Sequence, residues 1–170
     1  LINSRLIPGV VVSNNVIETG GNGVGISYLG TLDDANTPDS ARPFGRMLNN
    51  TIVGDGSGTG INIALNASTT LMNNVFANLG TGISVDGTSV SDASNEKLTE
   101  IDTSAFYLVG TEVSGTVQKN GITLTESPFV DIANGNFYPT SPTSIVDTAF
   151  NAIIDRQPSI VEKDAIGIPQ

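Results

Sequence analysis

The sequence predicts an all-β chain wound as a right-handed parallel β-helix solenoid, with about 22 residues in a plain coil. Three observations predict it. Two short blocks recur in a fixed order along the chain, the blocks alternate apolar and polar side chains, and polarity comes from Asn, Thr, Ser and Gly more than from charge. Charged residues are only 14% of the 170, against roughly a quarter in an ordinary globular domain. That balance suits strands, tight turns and neutral hydrogen-bonding ladders better than charged amphipathic helices.

The first block is an Asn doublet followed by an apolar pair. Ser13-Asn14-Asn15 precedes Val16-Ile17, Leu48-Asn49-Asn50 precedes the semi-polar Thr51-Ile52, and Met72-Asn73-Asn74 precedes Val75-Phe76. The second block is Gly-x-Gly-Ile-polar-apolar: Gly23 to Tyr28, Gly58 to Ile63 and Gly80 to Val85. A weaker fourth copy places Ala105-Phe106 at the apolar pair and Asn120-Gly121-Ile122-Thr123-Leu124 at the Gly-Ile block.

Alternation such as Ile61/Ile63 and Ile83/Val85 is the period of a strand with one buried face. Strands this short cannot bury that face alone, whereas passes stacked ~4.8 Å apart pair their backbones and share one core. Asn15, Asn50 and Asn74 are expected to form a structural ladder, since an Asn amide can bond to its counterpart one coil away and Asn tolerates left-handed corners. The glycines are expected to supply positive φ at the corners. Ile26, Ile61, Ile83 and Ile122 are expected to form one interior column.

Spacing locates insertions. Ile26 to Ile61 is 35 residues, Ile61 to Ile83 is 22 and Ile83 to Ile122 is 39. Ile26 to Asn49 takes 23 residues where Ile61 to Asn73 takes 12. Leu29–Phe44 and Asp86–Ile101 therefore read as excursions from one corner, with further extra length between Phe106 and Asn120. Insertions on one side of a solenoid commonly line its working face, although solvated loops are also tolerated at small cost.

Composition excludes several chemistries. The chain has no Cys and no His, which removes disulfides, Cys/His metal sites, thiol catalysis and His-based triads. A net charge of −10 with seven scattered Lys and Arg argues against nucleic acid as a partner. No apolar run nears the ~20 residues that span a bilayer, so membrane insertion is not expected. Asp55-Gly56-Ser57-Gly58 and Gly20-Gly21-Asn22-Gly23 lack the Walker lysine and the Ca²⁺ nonapeptide repeat, and read as glycine-rich corners. The sequons at Asn49 and Asn66 carry no argument beyond the corner role of Asn49. Residues 1–170 read as one segment, with repeats over about 10–150 and a tail or cap at 151–170. The absence of an initiator Met suggests a piece of a larger protein, whose neighbouring coils are then natural partners.

The repeat resembles the parallel β-helix repeat family, shared by pectate-lyase-like enzymes and many bacterial surface proteins. Ser127-Pro128-Phe129-Val130-Asp131, Gly135-Asn136-Phe137-Tyr138 and Ser141-Pro142-Thr143-Ser144-Ile145-Val146-Asp147 resemble the closing coils of secreted bacterial β-helix proteins. The tail from Asp155 to Pro158 and on to Pro169 is similar to segments of large planctomycete-type surface proteins. The resemblance implies an extracellular or cell-surface location. The leading expectation is a non-catalytic structural or adhesive module, with polysaccharide or a cell-surface glycan as partner. One alternative is a polysaccharide lyase or uronate epimerase, which needs a base for the C5 proton and a cation for the carboxylate. Its candidates are Arg42, Arg46 and Asp39, with Asp33, Asp34 and Asp39 as ligands if Ca²⁺ binds; no other cofactor is expected. The other alternative is a carbohydrate-binding module using Tyr28, Tyr107 and Tyr138 as stacking platforms.

Overall fold

The computed structural model describes residues 10–30, 43–89, 99–116 and 120–140. Within them the chain is all-β and pairs almost wholly in parallel. One parallel sheet contains β1 (Val10–Ser13), β4 (Phe44–Leu48), β7 (Ser68–Met72) and β9 (Glu100–Asp102), in the order β1-β4-β7-β9. The other contains β2 (Val16–Glu18), β5 (Thr51–Val53), β8 (Val75–Val85), β10 (Ala105–Ser114) and β11 (Ile122–Leu124), in the order β11-β10-β8-β5-β2. β3 (Val24–Leu29) pairs with β6 (Thr59–Ala64), and β6 pairs with the later half of β8. Neighbouring strands are thus one whole pass of the chain apart, and parallel pairing follows because every pass runs the same way.

The register is set by like residues. Val16, Thr51, Val75 and Ala105 are successive partners, as are Ile17, Ile52, Phe76 and Phe106. Ile26, Ile61 and Ile83 form a third row. A slip of one residue would turn every buried side chain outward. Ile52, Phe76 and Phe106 meet Met47, Leu71 and Ile101 of the other sheet in one core. The Phe76 and Phe106 rings stack with centroids 5.1 Å apart and planes 11° from parallel.

The two Asn residues of each doublet divide the work. Asn14, Asn49 and Asn73 take left-handed backbones, with φ of 59°, 56° and 54°, and turn the chain from the first sheet into the second. Asn15, Asn50 and Asn74 form a directional side-chain ladder. Asn15 Nδ2 donates to Asn50 Oδ1 (3.0 Å), and Asn50 Nδ2 donates to Asn74 Oδ1 (3.1 Å). The same oxygens accept the backbone N–H groups of Asn15 and Asn50. The next pass has Thr103-Ser104 at this corner. Thr103 keeps the left-handed turn at φ 44°, but Ser104 is too short to continue the ladder, and its buried hydroxyl finds no partner among the described residues.

The Ile column differs from the sequence expectation. Val113, not Ile122, follows Ile83, while Ile122 pairs with Ala105 and so belongs to the Val16–Thr51–Val75 row of a fifth pass. The fourth Gly-Ile block is Gly110-Thr111-Glu112-Val113, in register with Gly80-Thr81-Gly82-Ile83. The Phe106–Asn120 stretch is therefore largely strand: β10 runs on to Ser114. Asn120, at φ 50°, is the turning residue of that fifth pass.

The glycines also divide by physics. Gly21, Gly56 and Gly58 do have positive φ. The second glycine of each Gly-x-Gly does not: a Cβ on Gly60 would lie 2.6 Å from the Gly82 carbonyl oxygen and 2.6 Å from Phe76 Cδ1. A Cβ on Gly25 or Gly82 meets the equivalent pair, Gly60 O with Ile52 or Glu112 O with Phe106. Close packing of successive passes, and not backbone handedness, reserves that column for glycine.

Outside the stack, β12 (Phe129–Asp131) and β13 (Asn136–Pro139) form an antiparallel hairpin around a 3-10 turn at Ile132–Asn134. Asp131 caps the turn by accepting the Asn134 N–H, and Gly135 closes it with a left-handed backbone. Phe129 packs with Val53 and Ala77, with Tyr107, Ile132 and Phe137 around them, in a second apolar cluster. The hairpin thus covers the outer face of the second sheet.

Candidate functional site

The corner from which both excursions leave can be built from the strands that end there. β3 ends at Leu29 beside Ala64, and β8 ends at Val85 beside Ile63. The chain re-enters the first sheet through β4 and β9, which flank β7. Both long connections therefore depart from one edge and return to one sheet. Asp33, Asp34, Asp39 and Arg42 lie outside the described residues. Arg46 is half-buried on β4, with its backbone in register with Val11 and Thr70. Among the described residues no group of three acidic, His or Cys side chains could hold a metal ion.

The corner is held by a carboxylate that sequence reasoning assigned only to a loop. Leu65 and Asn66 both have left-handed backbones, with φ of 58° and 62°. Asp86 Oδ2 accepts the Leu65 N–H at 2.8 Å, and Asp86 Oδ1 accepts the Thr88 hydroxyl at 2.7 Å and its N–H at 3.0 Å. The Thr88 hydroxyl oxygen in turn accepts the Asn66 N–H at 3.0 Å. Burial pushes the Asp86 carboxyl up, but these bonds, led by the Leu65 amide, outweigh it and hold the group below the usual carboxylate range. Asp55 does the same at another corner. It accepts the Gly21 N–H at 2.6 Å and the Ser57 hydroxyl at 2.8 Å, and the Gly21 amide first of all keeps its carboxyl low. The signal for both is Asp two residues before Ser or Thr, an Asx turn. Both carboxylates are engaged in structure.

The three tyrosines part company. Tyr28 faces the main core, where its ring lies over Gly45, and burial raises its hydroxyl above its ordinary value. A Cβ on Gly45 would come within 2.7 Å of that ring. Tyr107 is half-buried in the second cluster beneath the hairpin. Only Tyr138 presents its ring to solvent, at 78% exposure. With Val16, Gly135, Asn136 and Phe137 it lines an open cleft of about 510 Å³. Tyr28 and Tyr107 are half-buried, because the alternation of their strands turns them toward apolar clusters, so Tyr138 offers the most open ring of the three. An exposed aromatic face beside an Asn amide can stack on an apolar ring surface and bond to its hydroxyls.

Among the described residues no helix is long and apolar enough to cross a membrane. No family model, no curated protein and no solved structure matches the chain.

Proposed function

We propose that this chain is a right-handed parallel β-helix solenoid acting as a non-catalytic structural or adhesive module of a secreted or cell-surface protein. One observation carries the reading: the Asn15–Asn50–Asn74 ladder runs in step with the Ile17–Ile52–Phe76 row, so successive passes are locked by both polar and apolar side chains. Such a stack is a rigid spacer that can present its uncovered faces for contact. The test is incubation with a panel of uronate polysaccharides, with and without Ca²⁺, followed by assay for unsaturated or epimerised products. No turnover is expected. Turnover that disappears in Arg42→Ala would overturn the reading in favour of a lyase or epimerase.

A second reading, carbohydrate contact, is favoured by the exposed Tyr138 in its cleft. It expects the wild-type chain to retain a subset of glycans on an array and Tyr138→Ala to lose them. Retention unchanged in Tyr138→Ala would remove this cleft from the account.

A further inference from the structure

The two ends of the stack differ. At the far end Glu112 occupies the glycine column, and its Oε1 accepts the Thr123 hydroxyl at 2.5 Å; Thr123 pairs in turn with Phe106. A polar pair thus lies over the core at that end, where β9 and β11 also pair on one side only among the described strands. At the other end β1, β2 and β3 each pair on one side only among the described strands. Val10, Val11, Val16, Val24 and Leu29 are between 46% and 60% exposed there. Inward-facing Ile17, Ile26 and Tyr28 are only half-buried, whereas their partners Ile52, Ile61 and Ile63 are fully buried. A sheet edge of this kind is a template for another strand.

The ladder says what that strand carries. Each amide oxygen in it accepts from the pass before, yet among the described residues Asn15 Oδ1 accepts nothing. Both hydrogens of Asn15 Nδ2 are engaged, by Ser13 O and Asn50 Oδ1. The same end of a second copy would set acceptor against acceptor. The far end of a second copy offers Gly121 at this position, with no side-chain amide to donate. Neither supplies the missing side-chain donor. The glycine column adds a further demand, since a side chain opposite Gly25 would meet its carbonyl as one on Gly25 would meet Gly60.

We infer that the β1–β2–β3 edge is a docking surface for one more parallel, repeat-bearing pass of polypeptide, with an Asn opposite Asn15 and a Gly opposite Gly25. The inference rests on the stacked-pass reading of the proposed function, but not on its adhesive or carbohydrate parts. β4, β5 and β6 show the geometry to be copied: they lie on β1, β2 and β3 at one constant offset of 35 residues. A synthetic peptide with the sequence of residues 44–64 therefore offers all three strands with correct spacing.

The experiment is amide hydrogen exchange on the full chain, with the peptide added free and, in a second arm, tethered to the N-terminus by a Gly/Ser linker that raises its effective concentration. Docking slows exchange in 10–13, 16–18 and 24–29. Replacing the peptide Asn with Ala weakens binding by about fivefold, the equivalent of ~1 kcal/mol for the one lost side-chain bond, since the backbone N–H at that position still donates. Replacing its second Gly-x-Gly glycine with Ala weakens binding at least as much. The inference is overturned by any of four results: no added protection in either arm, protection at β9 and β11 instead, equal binding by the Asn→Ala peptide, or concentration-dependent self-association of the chain through β1–β3. Failure here leaves the turnover and glycan-array results of the proposed function untouched, so the two can be judged apart.

Discussion

Asn50→Ala probes the interaction that locks successive passes. Asn50 is fully buried. Its Oδ1 accepts the Asn15 N–H and side-chain amide at 3.2 and 3.0 Å, and its Nδ2 donates to Val12 O at 2.9 Å and to Asn74 Oδ1 at 3.1 Å. The two bonds to Asn15 reach an exposed residue, where water can substitute, so they count at the low end of the usual range. The other two leave protein carbonyl or amide atoms short of a donor in the interior. At ~0.5 kcal/mol for each outer bond and ~1–1.5 for each inner one, the substitution costs about 3–4 kcal/mol. For a chain of this length that lowers Tm by roughly 6–16 °C. Asn15→Ala, at the exposed end, should cost about 1 kcal/mol or less. Thermal unfolding followed by circular dichroism, with urea titration for the free energies, measures both. Equal losses in the two variants, or a loss below about 1 kcal/mol for Asn50→Ala, would refute the claim that the ladder stabilises by burying satisfied amides.

Three further outcomes follow from the same geometry. Gly60→Ala should destabilise by about 2–3 kcal/mol, because the new Cβ meets a carbonyl oxygen and a Phe ring at 2.6 Å, while Gly20→Ala, with open space around it, should be neutral or slightly stabilising in urea titrations. Leu108 has a left-handed backbone at φ 51° and is 64% exposed, one pass on from Asn78, whose Nδ2 donates to Gly54 O; Leu108→Asn should therefore raise stability by about 1 kcal/mol in the same assay. The Asp86 carboxyl is held below its unfolded value, so its contribution is present above the ordinary carboxylate pKa and is lost as pH falls through the lowered folded value. Asp86→Asn should be less stable than wild type at neutral pH, with the gap closing under acid; a gap that widens on acidification would reverse the sign of this argument.

Much of the stacking was legible because like residues occupy like places. The Asn doublets with Val16-Ile17, Thr51-Ile52 and Val75-Phe76 fall in register as a simple alignment of the repeat suggests. The fourth Gly-Ile block was misplaced because Gly82 is replaced by Glu112 and Ile83 by Val113, while Asn120-Gly121-Ile122 happens to imitate it. A search anchored on Gly80-Thr81 would have found Gly110-Thr111. The proposed carbohydrate platforms were legible only as residue types. Whether a Tyr faces a core or solvent depends on which strand face is covered, and the hairpin that covers Tyr107 and exposes Tyr138 is distant in sequence from the sheet it packs on.

The sequence alone determined the alternation, the turning Asn residues and the all-β parallel order, because strand period and left-handed tolerance are properties of single residues and their immediate neighbours. Tertiary structure decided the rest. It reserved Gly25, Gly60 and Gly82 for glycine through contact with the next pass, set Asp55 and Asp86 as corner clamps, and left Asn15 Oδ1 without a donor among the described residues at one end while it set Glu112 against Thr123 at the other. Those outcomes depend on which groups meet across passes, from 11 to more than 30 residues apart in the chain, and local sequence preference cannot encode that distance.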